Sequence, residues 1–330
     1  MPIDWNSLHS NTFRDARVLI TGGAGFIGSH LCQALSTLGA KIVSLDDLSG
    51  GYESNLTGMA GVEFVKGSIL DQPLLGRVIA GCKFVLHQGA LGSVPRSVAE
   101  PRLFHDVNVT GTLNVLEAAR VAGVTRLTFA ASSSAYGDSE TLPKIETMPT
   151  SAKSPYAANK IADEAMMTAY ASSYGLDTAS LRYFNIFGPR QSANNAYAAV
   201  IAAFAKALLA GERPTIFGGG EQSRDFTYVD NVVHANLLAL KSSRPIGGAV
   251  INIACGRRIT VTQLAERMAD LCGRPDLVPI YKPDRAGDVK HSLADLARAE
   301  TLLGYDPVTN FEDGLAMTMA WYREQASKSK

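Results

Sequence analysis

RVLITGGAGFIGSHL, residues 17–31, is the most informative segment of the sequence for the fold. An apolar run leads directly into spaced glycines, and those glycines open a helical pattern. Glycine permits a tight turn and a close approach of backbone to a pyrophosphate, while the helix N-terminus offers free N–H groups and a positive dipole end. A strand, a glycine turn and a helix in this order predict a dinucleotide site. Its predicted members here are Gly22, Gly25, Phe26, Ile27 and Gly28.

Outward from this stretch, short apolar runs alternate with helical patterns through the first half of the chain. Strands that are apolar throughout and are separated by helices form a parallel sheet covered on both faces, because each crossover returns the chain through a helix. The sequence therefore predicts an α/β fold, a Rossmann-type doubly wound parallel sheet. The predicted strands are 17–21, 41–45, 62–66, 83–87, 126–131 and 178–183.

The alternation is lost after residue 185, which predicts a second, smaller α/β domain at the C-terminal side. We expect a helix over 196–210, strands at 215–217, 226–229 and 250–253, and a helix from residue 230. The last helix and strand predict that the chain returns to the first domain once. We assign 1–185, with a return segment at about 228–255, to the first domain. Segments 186–227 and 256–330 are assigned to the second.

Composition excludes several classes of partner. Lys plus Arg and Asp plus Glu each total 31, so no overall positive field exists to attract nucleic acid or anionic lipid. The 4 cysteines are far apart and form no CxxC pair, which argues against a metal site or a disulfide framework. The polar first residues lack a secretion signal, and no apolar stretch is long enough to cross a bilayer. We expect a cytoplasmic protein with no nucleic-acid, membrane or metal partner.

The residues at the end of the second strand indicate which dinucleotide is the cofactor. Asp46 and Asp47 follow the last glycine by about 20 residues, where a carboxylate binds the adenosine ribose hydroxyls. A 2′-phosphate would be repelled by Asp46, and no Arg or Lys follows directly to receive one, so NAD is the predicted cofactor. The ends of the third, fourth and sixth strands should also line it. The residues expected there are Ser68, Ile69, Gln88, Gly89, Ala90 and Tyr183.

The catalytic candidates follow the fifth strand. Ser132 stands at the start of a serine run, and Tyr156 and Lys160 come later in YAANK, where their spacing of four puts them on one helix face. A phenol has a reference pKa of about 10, but a neighbouring ammonium and an oxidised nicotinamide both favour the phenolate. Alone, such a pair is usually a packing contact. After a dinucleotide fold, it predicts a base, with Ser132 sharing the hydrogen bond of the hydroxyl being oxidised.

In these motifs, and in LRYFNIFGPRQ, SRDFTYVDN and RAGDVKHS, the chain resembles the extended short-chain dehydrogenase/reductase family. Within it, the sequence is most similar to the UDP-hexose 4-epimerases, closest to the UDP-N-acetylglucosamine 4-epimerase group. The resemblance implies that NAD takes a hydride from C4 of a UDP-sugar and returns it to the opposite face of a 4-keto intermediate. It makes the first domain NAD-binding and the second UDP-sugar-binding. It also implies a homodimer and a role in polysaccharide biosynthesis.

The resemblance assigns the substrate contacts. A diphosphate in a protein of zero net charge needs guanidinium groups at its own pocket, which agrees with two arginines in the set. Serines after the fifth strand and the pair Gly92 and Ser93 would face the hexose. The implied contacts are Gly92, Ser93, Ser132, Ser133, Ser134, Asn185, Ala199, Val200, Thr215, Phe217, Arg224, Arg285, Asp288 and Ser292.

The predicted identity of the substrate depends on one residue. In the family, a residue shortly after RxGD limits the space for a 2-acetamido group, and here it is Ser292, whose small side chain leaves room for it. Ser292 could instead cap a helix over 293–302. Alternatives are UDP-glucose/UDP-galactose or a UDP-N-acetylhexosaminuronate as substrate, and a silent NAD-binding scaffold. Dehydration and decarboxylation are disfavoured because Ser133 and Ser134 stand where those enzymes have acids.

Overall fold

The computed structural model describes residues 3–192, 199–283 and 290–328. The strands are β1 (Arg17–Thr21), β2 (Lys41–Asp46), β3 (Val62–Lys66), β4 (Phe84–His87), β5 (Arg126–Ser132), β6 (Asp177–Tyr183), β7 (Ile186–Phe187), β8 (Thr215–Phe217), β9 (Ser223–Asp225), β10 (Thr227–Tyr228), β11 (Ala249–Ile253), β12 (Arg258–Thr260) and β13 (Ile280–Lys282). The α-helices are α1 (Trp5–His9), α2 (Phe26–Thr37), α3 (Gln72–Ile79), α4 (Val94–Ala99), α5 (Pro101–His105), α6 (Gly111–Val121), α7 (Pro155–Tyr174), α8 (Val200–Leu209), α9 (Val229–Lys241), α10 (Val261–Leu271), α11 (Ala297–Leu303) and α12 (Phe311–Lys328).

A seven-stranded parallel sheet forms the centre, in the order β3-β2-β1-β4-β5-β6-β11. This confirms the predicted α/β, doubly wound fold. Thr21 lies opposite His87 in neighbouring strands, and Ser132 lies opposite Tyr183, so the carboxyl ends of the strands meet at one edge. Ligands of such sheets bind outside this edge.

The two faces of the sheet are buried by different helices because side chains alternate along each strand. In β1, Val18 and Ile20 pack with α2 and α9, whereas Leu19 packs with α3, α6 and α7. Strands covered on both faces need apolar residues at every position, which is why their sequences show no alternation.

The predicted boundaries are mostly accurate. Strands 17–21, 62–66 and 215–217 are confirmed at both ends, whereas β4 begins at Phe84 and β5 continues to Ser132. Only Thr227–Tyr228 of the strand predicted at 226–229 is extended, because α9 begins at Val229. Helix α8 lies inside the predicted 196–210, of which 196–198 fall outside the described residues.

Beyond β6, smaller pairs of strands and three helices form a second apolar cluster. β7 pairs with β10, β8 with β13 and β9 with β12, and α8, α10 and α12 pack around Phe187, Phe226 and Phe311. β11 joins the main sheet beside β6, as a returning chain requires. The division at residues 185, 228 and 255 stays a prediction. Among the helices of the described residues, none combines the length and the apolar character of a membrane span.

Helix α1 was not predicted from the sequence. The polar first residues contain a helix capped by Asp4, whose carboxylate accepts a hydrogen bond from the Ser7 amide at 3.2 Å. His9, at its end, is buried, and its Nε2 lies 3.1 Å from Nδ1 of His234 on α9. The segment before the first strand is therefore part of the packed domain.

Candidate active site

The glycine turn between β1 and α2 has the geometry of a phosphate-binding loop. Gly22 has a φ of +67°, and a Cβ there would lie 2.8 Å from Cα of Gly89. A Cβ on Gly28 would lie 2.0 Å from the carbonyl oxygen of Gly22. Helix α2 starts at Phe26 without a side-chain cap, so its first N–H groups are available to an anion. These features fit the pyrophosphate of a dinucleotide.

Asp46 stands at the end of β2 beside this turn. Its carboxylate accepts hydrogen bonds from the amides of Ala24 at 3.0 Å and Leu48 at 2.8 Å. Burial raises the pKa of Asp46, and these two bonds oppose the rise. Two amide donors leave lone pairs for a ribose diol, which fits the predicted role. Asp47 is exposed and accepts instead from the Ser49 amide at 2.8 Å.

The predicted lining residues of β3, β4 and β6 lie along the same edge. Ser68 Oγ accepts from the Leu70 amide at 3.2 Å, and Ile69 is buried. Tyr183 donates to Oε1 of Gln88 at 3.2 Å. Gly89 lies against the glycine turn, and Ala90 follows it as an exposed residue.

A hydrogen bond that holds Tyr183 in place was not predicted from the sequence. Its hydroxyl also accepts from Nδ2 of Asn236 at 2.8 Å, a fully buried residue of α9 on the far side of the sheet from α7. Burial raises the pKa of Tyr183 to about 12, so this tyrosine stays a neutral donor to Gln88. A polar residue in the apolar face of α9 is the sequence signal that could have revealed it.

Ser132, Tyr156 and Lys160 come together where β5 ends against the start of α7. Ser132 Oγ accepts from the Ser134 amide at 3.2 Å and hydroxyl at 2.9 Å. Lys160 is buried; its Nζ donates to the Ala130 carbonyl at 2.8 Å and lies 5.9 Å from the ring centroid of Tyr156. The structure thus groups the three residues that the sequence selects as catalytic.

The electrostatics of this group are dominated by desolvation. Burial raises the pKa of Tyr156, and a hydrogen bond with Ser132 opposes that rise. Burial lowers the pKa of Lys160, and the negative charges of Asp163 and Glu164 oppose this. The sequence-based expectation of an ammonium that lowers the phenol pKa is therefore outweighed here by burial, and ionisation of Tyr156 needs a further positive charge.

Two positioning contacts had no signal in the sequence pattern. Ser97 Oγ accepts from the Tyr156 amide at 3.2 Å, which fixes the start of α7. Asn108 lies in a π-helical turn, Asp106–Thr110, between α5 and α6. Its side chain accepts from the Leu91 amide at 2.8 Å and donates to the Leu91 carbonyl at 3.1 Å, which holds the loop after β4. Such π-turns are common at functional sites.

Two of the implied substrate contacts, Asn185 and Ser292, lie in contact with each other. Asn185 has a φ of +40°, and its Nδ2 donates to Ser292 Oγ at 3.1 Å and to the Asp225 carbonyl at 3.1 Å. Helix α11 begins only at Ala297, so the alternative in which Ser292 caps this helix is wrong. Ser292 is buried with its hydroxyl facing Asn185, in the chain segment that bridges β9.

The other implied substrate contacts are distributed around this side. Ser93 caps α4, and Gly92 beside it is exposed. Arg224 on β9 donates to the carbonyls of Ser223 at 3.1 Å and Lys290 at 3.0 Å. The remaining described positions are Ser133 and Ser134 in a 3-10 turn, Ala199 and Val200 at the start of α8, and Thr215 and Phe217 on β8. Arg285 and Asp288 lie outside the described residues. Over the described part of the chain, no cluster of three His, Cys, Asp or Glu side chains could hold a metal ion.

A doubly wound parallel sheet whose edge gathers a glycine turn, a buried carboxylate at the end of β2 and a Ser, Tyr and Lys group defines a dinucleotide-dependent enzyme. The family model described as "NAD dependent epimerase/dehydratase family" matches residues 18–254. The chain belongs to this family, which confirms the predicted family membership and NAD as its cofactor.

Several known proteins are similar over almost their full length. A UDP-glucose 4-epimerase of Mycolicibacterium smegmatis is 39% identical over 317 residues, covering 94% of this chain and 99% of the relative. A UDP-N-acetylglucosamine 4-epimerase of Methanobrevibacter ruminantium, solved with UDP-N-acetylmuramic acid, is 39% identical with a TM-score of 0.90, covering 94% and 99%. A UDP-glucose 4-epimerase of Thermus thermophilus, solved with NAD, is 35% identical with a TM-score of 0.84, covering 93% and 99%.

Proposed function

We propose that this protein is an NAD-dependent UDP-sugar 4-epimerase that interconverts UDP-N-acetylglucosamine and UDP-N-acetylgalactosamine through a 4-keto intermediate. The names of the similar proteins support 4-epimerisation of a UDP-sugar. The choice of an N-acetylated hexose depends on one observation, the small, buried Ser292 in contact with Asn185.

The residues at the sheet edge fit NAD. The turn at Gly22 and the uncapped start of α2 would hold the pyrophosphate, and Asp46 the adenosine ribose. When bound, NAD supplies the hydride acceptor and, in its oxidised form, a positive charge that favours the phenolate of Tyr156.

Tyr156 exchanges the proton of the reaction. Its phenolate oxygen accepts the proton of the sugar 4-hydroxyl while the hydrogen on C4 leaves as a hydride, so a C=O bond replaces the O–H and C–H bonds. Ser132, held by two bonds from Ser134, is placed to donate to the developing oxygen charge. The reverse steps on the other sugar face return both hydrogens and leave the enzyme unchanged.

Space next to C2 of the bound sugar favours a substrate with a 2-acetamido group. Ser292 is itself small and buried, and its hydroxyl accepts a hydrogen bond from Nδ2 of Asn185 at 3.1 Å. A phenol ring there would reach further from the backbone and meet a bulky 2-substituent. A small residue at this position therefore admits N-acetylated hexoses, which a large one would exclude.

Elimination is disfavoured by the residues that follow Ser132. Ser133 and Ser134 form a 3-10 turn and are half-buried neutral hydroxyls. Loss of water across C5–C6 needs a general acid and a general base, and these hydroxyls supply neither. The same reasoning disfavours decarboxylation of an acidic sugar.

The direct experiment is to incubate the NAD-loaded protein with UDP-N-acetylglucosamine, UDP-glucose and UDP-N-acetylglucosaminuronate, and to read the C4 configuration by proton NMR. We expect fastest inversion of the N-acetylated hexose. Preferential inversion of either other sugar would replace the proposed substrate, and no conversion of any would favour the NAD-binding scaffold.

We propose a homodimer as well. The helices beside the active site expose apolar side chains, with Val98 63%, Leu103 39% and Leu113 40% exposed. Multi-angle light scattering should give twice the chain mass, and a monomer mass would exclude the dimer. The cytoplasmic location and the role in polysaccharide biosynthesis stay predictions.

A further inference from the structure

Helix α4 is joined to the start of α7, the helix that carries Tyr156, through one serine. Ser97 is 0% exposed, although its side chain is a hydroxyl. Its Oγ donates to the Val94 carbonyl of its own helix at 2.6 Å and accepts from the Tyr156 amide at 3.2 Å. Over the described part of the chain, no other hydrogen bond joins α4 to α7. A buried hydroxyl whose two bonds run to two helices holds those helices in register.

The first turn of α7 has no internal substitute for this bond. The first N–H groups of a helix have no carbonyl partner within it and need acceptors from outside. Pro155 has no N–H, and the Ala157 amide donates to Oγ of Ser154 at 3.1 Å. The Tyr156 amide has Ser97 as its acceptor. The backbone of the proposed base is therefore fixed by a side chain from another helix.

The other end of α4 begins at the loop that would face the sugar. Ser93 caps the helix by accepting from the Arg96 amide at 3.3 Å, and its carbonyl accepts from the Ser97 amide at 2.9 Å. Before it, Leu91 is held by the two hydrogen bonds with Asn108. Residues four apart lie on one face of a helix, so Ser97 stands one helical turn from Ser93. One short helix thus connects the loop to the base.

We propose that Ser97 is a positioning residue of the reaction: its hydroxyl fixes the place of Tyr156 relative to the loop that faces the sugar. This role rests on the proposed function, because it concerns the same base and the same substrate. Ser97 acts through the backbone of Tyr156, and no sequence motif selected it.

The consequence for the chemistry is geometric. A base must come within about 2.6–3.2 Å of the group whose proton it accepts, and a misplacement of about 1 Å can cost about 100-fold in rate. Without the Ser97 hydroxyl, the Tyr156 amide loses its acceptor and the first turn of α7 can move away from α4. The phenol moves with it, whereas the turn at Gly22 and the carboxylate of Asp46 keep their places. The loss should therefore appear in turnover rather than in binding.

Hydrogen exchange of the Tyr156 amide tests the contact in solution without a sugar. In NAD-loaded protein labelled with nitrogen-15 tyrosine, the Tyr156 resonance is the one that disappears in Tyr156→Phe. We expect slow exchange in the wild-type protein and exchange at least about tenfold faster in Ser97→Ala. Ser97→Thr should restore the protection, because a threonine hydroxyl in a helix can bond the same preceding carbonyl. Fast exchange in the wild-type protein, which needs no variant of Ser97, would overturn the proposal.

Kinetics with UDP-N-acetylglucosamine test whether the contact positions the base. Ser97→Ala removes the acceptor, Ser97→Cys keeps the shape with a weak acceptor, and Ser97→Thr keeps the hydroxyl. We expect kcat to fall by about 10- to 100-fold in the Ala and Cys variants, with KM and the Thr variant within about threefold of wild type. The solvent deuterium isotope effect on kcat should rise in Ser97→Ala, because proton exchange with Tyr156 becomes the slower step.

Asn310→Ala is the matched control. Oδ1 of Asn310 accepts from the Asp313 amide in the first turn of α12 at 2.8 Å, on a helix of the second apolar cluster. Loss of this helix-start acceptor should leave kcat within about twofold of wild type. A kcat near wild type in folded Ser97→Ala would overturn the proposal. Equal losses in Ser97→Thr and Ser97→Ala would overturn it too, because they would assign the effect to packing at this buried position.

The two measurements separate this proposal from the proposed function. If the Tyr156 amide loses its protection in Ser97→Ala but no UDP-sugar is inverted by the wild-type protein, the holding contact stands and the epimerase assignment falls. If the wild-type protein and Ser97→Ala invert UDP-sugars equally well, the positioning role falls alone.

Discussion

The cofactor side and the substrate side of the site are built in different ways. On the cofactor side, each group follows directly from the end of a strand, as Asp46 follows β2 and the glycine turn follows β1. On the substrate side, the groups meet through pairs far apart in sequence, such as Asn185 with Ser292. Asp225 similarly accepts from the amides of Cys255, Gly256 and Ala294. On the proposed assignment, the cofactor contacts are thus encoded locally, whereas the substrate contacts depend on the packing of distant segments.

Tyr156 lies where the two sides meet, and its removal should have the largest effect. We expect Tyr156→Phe to lower kcat by about 100- to 10,000-fold while the affinities for NADH and UDP stay near wild type, because only the proton exchange is lost. Steady-state kinetics and calorimetric titrations measure these quantities. Tyr170→Phe removes a hydroxyl from the same helix, one that contacts Glu117 instead, and serves as the matched control. Near-normal turnover in Tyr156→Phe would remove the proposed base.

One substitution on each side tests whether the two sides are independent. Asp46→Ala leaves the Ala24 and Leu48 amides without their acceptor, and Asp225→Ala does the same to three amides on the substrate side. A buried donor left unpaired costs about 1–3 kcal/mol. We expect Asp46→Ala to weaken NADH binding and Asp225→Ala to weaken UDP binding, each by about tenfold or more.

Calorimetric titration of both variants with both ligands measures this separation. Equal losses for NADH and UDP in both variants would show that the two sides are one unit. Burial raises the pKa of Asp225 to about 6, so its folded form resists ionisation and its contribution to stability falls as pH rises through that value. The titrations therefore belong at one fixed pH.

The same contrast explains what the sequence could and could not predict. The strand pattern, the glycine turn and the YAANK motif depend on neighbouring residues, and the structure has them where they were expected. The contacts of Asn108 with Leu91 and of Ser97 with Tyr156 join separate elements, and no local pattern indicates them. Helix α1 was missed for a related reason, because its buried side chains are identifiable only from the helices they pack against.

The smallest effect on activity is expected from a substitution of Ser292 on the substrate side. Ser292→Tyr places a ring in the wall next to Asn185, and overpacking of this kind costs about 1–3 kcal/mol. We expect the ratio of kcat/KM for UDP-N-acetylglucosamine over UDP-glucose to fall by about tenfold. Ser292→Ala keeps the space and should leave the ratio within about twofold. Equal losses for both sugars in Ser292→Tyr would show that this position does not choose the substrate.

In the proposed reaction, C4 is inverted by removal and return of its own hydrogen at one site. The experiment uses UDP-N-acetylglucosamine that carries deuterium at C4, incubated with the NAD-loaded protein in ordinary water. Retention of the deuterium at C4 of UDP-N-acetylgalactosamine is expected, because the hydride never exchanges with solvent. Replacement of that deuterium by a solvent proton would contradict the mechanism.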